Sequence, residues 1–253
     1  MAHELQKANI WKRISAWMFD GIITGILAVA IGLILSALLG YDSYSDTLDL
    51  AYETYETRFG VSFEISQADF DAMDASQREN YNAAYQALIA DGEAMYAYNM
   101  MISLSLVIIS LGVLLAVVVW EFIIPLRLGH GRTLGKKIFG LCLVRSDGVQ
   151  MNNLQLFTRS ILGKYAIETM VPMLIMLMIF WGTMGVVGTL VVASLTIGQV
   201  LSVLVTRSNS AIHDLLAGTV VVDYASQTIF RSTEDLIEYQ KKLAAERAAR
   251  ADY

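Results

Sequence analysis

Six ionisable side chains stand inside or beside long apolar runs: Arg13, Asp20, Glu121, Glu168, His213 and Asp214. Arg13 and Asp20 are seven residues apart, so on a helix of 3.6 residues per turn they share one face about two turns from each other. Glu121 closes one uncharged run, Glu168 opens another, and His213–Asp214 follow soon after that second run ends. Lys164 and Glu168 have the spacing of an i,i+4 helix pair. A carboxylate within an apolar segment must be paired, hydrated or protonated, and it normally faces a bundle interior or a water-filled cavity. The chemistry open to this set is binding of a proton or a monovalent cation, with Asp20 exchanging one for the other, Arg13 tuning its charge and His213–Asp214 relaying protons. The competing reading is an ion-pair network that ties helix ends to cytoplasmic loops.

A second constellation lies at Gly129–His130–Gly131–Arg132–Thr133–Leu134–Gly135–Lys136–Lys137, continued by Ile138–Phe139–Gly140. A phosphate loop would need glycine five positions before Gly135 and serine or threonine after Lys136; the chain has His130 and Lys137 there, and the stretch follows an apolar helix instead of a strand. Gly131, Thr133, Gly135, Lys136, Lys137 and Gly140 are therefore expected to form a close turn against helix ends. Lys136 and Lys137 would meet anionic lipid heads or the buried acids. His3 and His130 lack the spacing of a metal-ligand set, and the lone Cys142 excludes an intrachain disulfide. The twelve methionines fall mostly in apolar segments, where packing explains them. No nucleophile–base constellation and no nucleotide, cofactor or nucleic-acid motif is visible, so the chain is expected to be neither an enzyme nor a nucleic-acid binder.

The elements that must position these residues are membrane helices. The chain is 55% hydrophobic and 17% charged, with a mean hydropathy of +0.51, whereas a soluble domain carries about 25% charge. Uncharged runs of 21, 27 and 38 residues separate Asp20 from Asp42, Glu93 from Glu121 and Glu168 from Arg207. A crossing takes roughly 20 apolar residues. The runs predict four transmembrane helices, at about 14–39, 98–124 (ending before Pro125), 165–181 and 184–206, in an all-α membrane protein. The last two form a hairpin that turns near Trp181 and Gly182, with a kink or a re-entrant path at Pro172 as the alternative for the third. The first apolar block has no clear small-residue cleavage site, so it is expected to stay in place as a helix.

Charge sets the sides. Residues 41–97 carry a net −10 and the rest of the chain a net +4. Lys7, Lys12 and Arg13, the basic loop 125–164 and Arg207 all flank crossings, which puts both termini in the cytoplasm and the acidic segment outside. That insertion, with aromatic residues among its acids and a capping box at Ser76–Glu79, is expected to form two or three short helices as a solvated cap, with partner binding as the alternative. Leu141–Val144 and Thr219–Val222 read as two short strands able to pair on the cytoplasmic face, and Ser146–Asp147–Gly148 as a turn. From Thr233 onward the chain reads as an exposed, charged cytoplasmic helix. Three domains follow: a membrane domain at 1–40 and 98–223, the insertion at 41–97, and the tail at 224–253.

Three of these motifs together resemble the RDD family of small multi-pass bacterial membrane proteins, named for an arginine and two aspartates. Arg13 to Asp20 matches the opening Arg and Asp, Gly131–Lys137 with Gly140 resembles the glycine–lysine loop, and His213–Asp214–Leu215–Leu216–Ala217–Gly218–Thr219 matches the closing segment. Two features depart from the pattern: Arg132 stands where Gln or Lys is more usual, and the acidic insertion is longer than the typical external connection. The resemblance implies a location in the bacterial plasma membrane and a transport-associated role, with sodium/proton antiport suggested for certain members. Four crossings are few for an alternating-access carrier, so a homo-oligomer or a membrane protein partner is expected, and Gly182, Gly185 and Gly188 would permit close helix approach. The other class of function is a membrane scaffold or assembly factor that recruits partners.

Overall fold

The computed structural model describes residue 5, residues 8–180, residue 182, residues 185–206 and residues 209–251. The protein is mostly α-helical, and among the described residues three helices are long and apolar enough to cross a membrane: Ile10–Leu39, Gly92–Leu128 and Gly185–Val205. Helix α1 (Ile10–Leu39) begins four residues before the predicted start. Along it Ile22, Ile26, Val29 and Leu33 are all more than 60% exposed at helical spacing. Such a stripe suits hydrocarbon as its solvent and would be buried in a soluble fold.

The acidic segment folds as α2 (Tyr41–Phe59), α3 (Gln67–Ala72) and α4 (Ala75–Ala90). Leu48 and Leu88 are buried there with Ala94 and Ala97, and Tyr52, Tyr55 and Phe63 pack around them. The helix start predicted at Ser76 lies two residues earlier. Asp74 caps α4 by accepting the Gln77 amide at 2.8 Å, while the Gln77 side chain accepts the Asp74 amide at 3.0 Å. An aspartate followed three residues later by glutamine completes the reciprocal box, so it outcompetes Ser76 as the cap.

The next long helix runs as α5 (Gly92–Val117), a π-helical stretch π1 (Val118–Ile123) and α6 (Ile124–Leu128), passing the point before Pro125 where the sequence predicts an end. The third is also longer than predicted and starts at Asn153: α8 (Asn153–Phe157), π2 (Thr158–Met170) and α9 (Val171–Phe180) are contiguous. The two prolines of the chain explain both wide stretches. Pro125 is the second residue of α6 and Pro172 the second of α9, each directly after a π stretch. A proline lacks the amide and crowds the carbonyl four residues back, and a shift to i→i+5 bonding upstream lets the helix continue. The Ile124 amide to the Val119 carbonyl and the Val171 amide to the Ala166 carbonyl have that longer span.

The loop between these helices holds α7 (Leu134–Ile138) and β1 (Leu141–Arg145); after α10 (Gly185–Val205) come α11 (Ile212–Ala217), β2 (Thr219–Asp223) and α12 (Thr233–Ala251). The two predicted strands pair antiparallel, Leu141 opposite Asp223 and Arg145 opposite Thr219, each one residue longer than expected. Both faces are buried: Leu141, Leu143 and Val221 pack with Ala8 and Ala16, while Cys142, Val144, Val220 and Val222 form a second cluster. The predicted turn closes with the Gly148 amide on the Arg145 carbonyl at 2.9 Å. Trp181 and Met184, at the expected hairpin, lie outside the described residues, as do His3, Lys7 and Arg207.

The chain divides into two compact units, Met1–Leu27 with Leu114–Tyr253, and Ala28–Val113. In the second, α1 and α5 approach closely at two glycines. A Cβ added to Gly112 would stand 3.2 Å from the Ala28 carbonyl oxygen and 3.6 Å from the Gly32 Cα. Gly112→Leu is expected to cost about 1–3 kcal/mol by overpacking this crossing, read as a lower thermal midpoint in detergent than that of Gly92→Leu, where a Cβ meets nothing within 4 Å.

Candidate functional site

All six predicted ionisable residues belong to the first unit, and five of them lie in two adjoining clusters of ion pairs that also take in Lys136, Arg159 and Lys164. Asp20 is the sixth: it shares Lys136 with Glu121 and takes its hydrogen bonds from a socket of neutral donors. It is only 2% exposed. Its Oδ1 accepts the Trp120 indole N–H at 3.1 Å and the Gly135 amide at 3.0 Å; its Oδ2 accepts the Thr133 hydroxyl and lies 3.7 Å from the Lys136 ammonium. Thr133 caps α7, its hydroxyl accepting the Lys136 amide at 3.3 Å and the Lys136 ammonium at 3.1 Å. The glycine at 135 is sterically required. A Cβ there would fall 2.6 Å from the Ala16 carbonyl oxygen and 2.8 Å from the Asp20 carboxyl. Gly131 is required for a second reason: its φ is +61° and a Cβ would meet Met151 and Leu143 at 2.6 and 2.8 Å.

Glu121 lies on π1. Its Oε1 accepts the Lys164 ammonium at 2.5 Å. Its Oε2 is buried without a hydrogen bond, 3.6 Å from the Lys136 ammonium. The Glu121 carbonyl accepts the Ser160 hydroxyl at 2.7 Å, which joins π1 to π2. Lys136 is thus the shared counter-ion of Asp20 and Glu121. Burial, with Lys164 and Arg159 nearby, lowers its pKa to about 8 against the pull of Glu121 and Asp20.

The remaining residues centre on Asp214. Arg159, 2% exposed, donates to Asp214 Oδ1 at 2.7 Å, and Arg13 reaches Oδ2 at 3.3 Å. Burial alone would raise the Asp214 carboxyl, but Arg159, His213 and Arg13 together hold it below the usual carboxylate range. The His213 ring is oriented at both ends. Arg159 Nη2 stands 3.1 Å from Nε2 and can only donate, so Nε2 accepts and the ring proton is on Nδ1, which faces the two Glu168 oxygens at 2.9 and 2.8 Å. The His213 backbone amide donates to the same carboxylate at 3.0 Å. Burial, reinforced by Arg159, lowers the His213 pKa against the pull of Asp214 and Glu168. Gly163 admits this ring, since a Cβ there would lie 2.5 Å from that of His213.

Several partners differ from those the spacing suggests. Arg13 pairs with Asp214, and Asp20 draws its partners from Trp120 and the glycine–lysine loop. Lys164 and Glu168 point to Glu121 and His213 instead of bonding each other. They lie in π2, where the Thr169 hydroxyl bonds the carbonyl five residues back and the i,i+4 register is lost. Lys136 turns inward while Lys137 is exposed, and Gly140, with φ +68°, leads from α7 into β1. Sequence reasoning missed the roles of Arg159, Trp120, Ser160 and Gly163. Arg159 was legible only as one of many loop charges; its signal was a lone arginine close ahead of a long uncharged run.

Asp20, Glu121, Lys136, Arg159, Lys164, Glu168, His213 and Asp214 share the lining of one cleft of about 750 Å³, whose remaining walls are largely apolar. The RDD family profile matches residues 7–218, from before α1 to the end of α11. The chain belongs to the RDD family. Comparison with curated proteins and with solved structures finds no match. In this RDD protein the family's arginine and second aspartate, Arg13 and Asp214, form one ion pair, and the first aspartate, Asp20, pins the loop. Asp20→Ala strips Thr133, Gly135 and Lys136 of their common acceptor and is expected to cost about 3–5 kcal/mol, as for other broken buried pairs. Gly135→Ala is expected to cost about 1–3 kcal/mol. Thermal unfolding in detergent checks both, and an unchanged midpoint for Asp20→Ala would remove the socket's structural role.

Proposed function

We propose that this RDD protein crosses the membrane four times, with both termini in the cytoplasm, and exchanges protons for a monovalent cation through Glu121 and Lys136. The three long apolar helices supply three crossings, and the contiguous helix Asn153–Phe180 supplies the fourth, with Arg159, Lys164 and Glu168 all in its π-helical stretch. The excess of basic residues in the loop 125–164 supports its cytoplasmic placement. A cysteine at position 226 (Ser226→Cys) should then react with an impermeant maleimide only after cells are opened, and one at position 76 (Ser76→Cys) in intact cells. The reverse pattern would invert the topology.

The observation that carries the exchange reading is the Glu121 Oε2 atom, a buried carboxylate oxygen without a hydrogen bond that lies 3.6 Å from the ammonium of the titratable Lys136. Asp20 is a poorer exchange group because both its oxygens are occupied by neutral donors that do not leave. When Lys136 is protonated, its ammonium balances Glu121 and Asp20. When it loses the proton, one carboxylate charge near the cleft is uncovered and a cation takes its place, so the charge of the site is conserved. The charged groups facing Lys136 are Asp20 on α1, Glu121 on π1, and Arg159 and Lys164 on π2. Because Lys136 titrates near 8, cation uptake should rise as the pH rises through that value and fall below it.

The test is proton flux in liposomes with a trapped pH dye, under imposed sodium or potassium gradients. Glu121→Gln is expected to lower flux at least about tenfold, since it removes the exchanged charge. Lys136→Met, which cannot carry the exchanged proton, is expected to abolish the cation-driven proton flux. Wild-type protein, folded and inserted, with no flux above that of empty liposomes would overturn the reading.

A further inference from the structure

We infer that the cation this cleft takes is an organic ammonium with an apolar body, bound head-inward at Glu121 and tail-outward along α1 and α10. The inference rests on the exchange reading above and names its substrate class. It follows from how few unbonded carboxylate oxygens the cleft offers and how much hydrocarbon; its other side-chain oxygens belong to Thr24, Thr169 and Thr196, whose hydroxyls bond their own helices, and to Gln199, whose Oε1 accepts the Ile212 amide. Asp20 has both oxygens hydrogen-bonded, Glu168 has both turned to His213, and Asp214 has one each for Arg159 and Arg13. Glu121 gives Oε1 to Lys164, which leaves Oε2 as the carboxylate oxygen without a hydrogen bond. A hard metal cation that sheds its water needs several oxygen ligands at once. One oxygen beside a lysine position suits a group that already resembles lysine, an ammonium whose charge replaces the one Lys136 gives up with its proton.

The walls agree with that choice. Ile14 and Trp17 on α1 face the cleft together with Leu195, Val200, Val203 and Leu204 on α10. On α10 the lining positions 196, 200 and 203 recur at helical spacing, so the helix presents one continuous side to it. The volume of about 750 Å³ lies within the range of roughly 300–1,000 Å³ usual for small-molecule sites and far exceeds what a bare ion occupies. A ligand that carries its own apolar surface gains from these walls in proportion to the area it buries. Its charge ends beside Glu121 Oε2, where loss of the Lys136 proton leaves Asp20 and Glu121 together with Lys164 alone, one positive charge short.

The test is calorimetric titration of the full-length protein in lipid nanodiscs, in alkaline buffer, where an alkylammonium keeps its proton as an ordinary lysine does. The probes are propylammonium, hexylammonium, hexanol and sodium chloride, with empty nanodiscs as reference. Hexylammonium should bind more tightly than propylammonium, by up to about fourfold per added methylene, and hexanol and sodium should bind far more weakly. Glu121→Gln should weaken hexylammonium at least about tenfold. Val203→Trp, which fills the wall without touching the charges, should abolish the chain-length gain and keeps the test open if the Glu121 variant does not fold. Equal affinity for the two ammonium ions, or hexanol binding as tightly as hexylammonium, would overturn the inference. Sodium-driven proton flux in a protein that does not bind hexylammonium would also overturn it while leaving exchange standing. Binding that depends on chain length and on Glu121, in a protein without proton flux, would support the ligand class and remove the exchange reading.

Discussion

A carboxylate removed from water must find fixed donors or a counter-charge, and the arrangement of the loop and helix ends around α1 follows from meeting that demand at Asp20. Three neutral donors and one ammonium converge on a single side chain near the start of α1. Two of the donors and the ammonium come from Thr133–Lys136, so satisfying Asp20 also folds the loop. Thr133 caps α7 with the same oxygen that it offers to Asp20, and α7 leads through Gly140 into β1. The strand pair then joins this loop to the segment after α11, whose Asp214 holds Arg13 from the first turn of α1. One desolvated charge therefore organises a circuit that returns to its own helix.

The second constraint is the widened helical register. Each proline removes a donor where a helix must nonetheless continue, and each is preceded by a π stretch that absorbs the defect. The two stretches touch through the Ser160 hydroxyl and the Glu121 carbonyl. They also carry Glu121, Arg159, Lys164 and Glu168, so irregular helix and buried charge coincide. In π2 the altered spacing separates Lys164 from Glu168 and frees each for a partner on another element, Glu121 on π1 and His213 on α11.

The clusters differ in what they permit. Around Asp214 and His213 the protons are committed: Arg159 fixes the ring tautomer, and Asp214 is held ionised by two arginines. That arrangement is suited to holding α11 and π2 together. Around Glu121 the balance is looser, with one oxygen lacking a hydrogen bond and a lysine whose affinity for its proton is reduced by burial. A fully bonded and a partly bonded part of one network thus sit side by side along a single cleft.

Apolar run length by itself determined the three long helices, because a membrane crossing demands roughly 20 uncharged residues and little else. Two short apolar runs, Leu141–Val144 with the turn Ser146–Gly148 after it and Thr219–Val222, likewise marked the strand pair, and the charges within or beside apolar runs marked Asp20, Glu121, Glu168 and Asp214 as residues in need of partners. The identity of those partners was decided by tertiary structure. Arg13 is on the correct helical face to reach Asp20, yet it bonds Asp214 201 positions away, while Asp20 reaches Trp120 and Thr133 over separations of 100 and 113 residues. Helical periodicity encodes only neighbours on one element, and a proline-driven change of register alters even those. Which carboxylate oxygen remains without a hydrogen bond depends on the simultaneous placement of α1, π1, α7 and π2, and no local pattern carries that information.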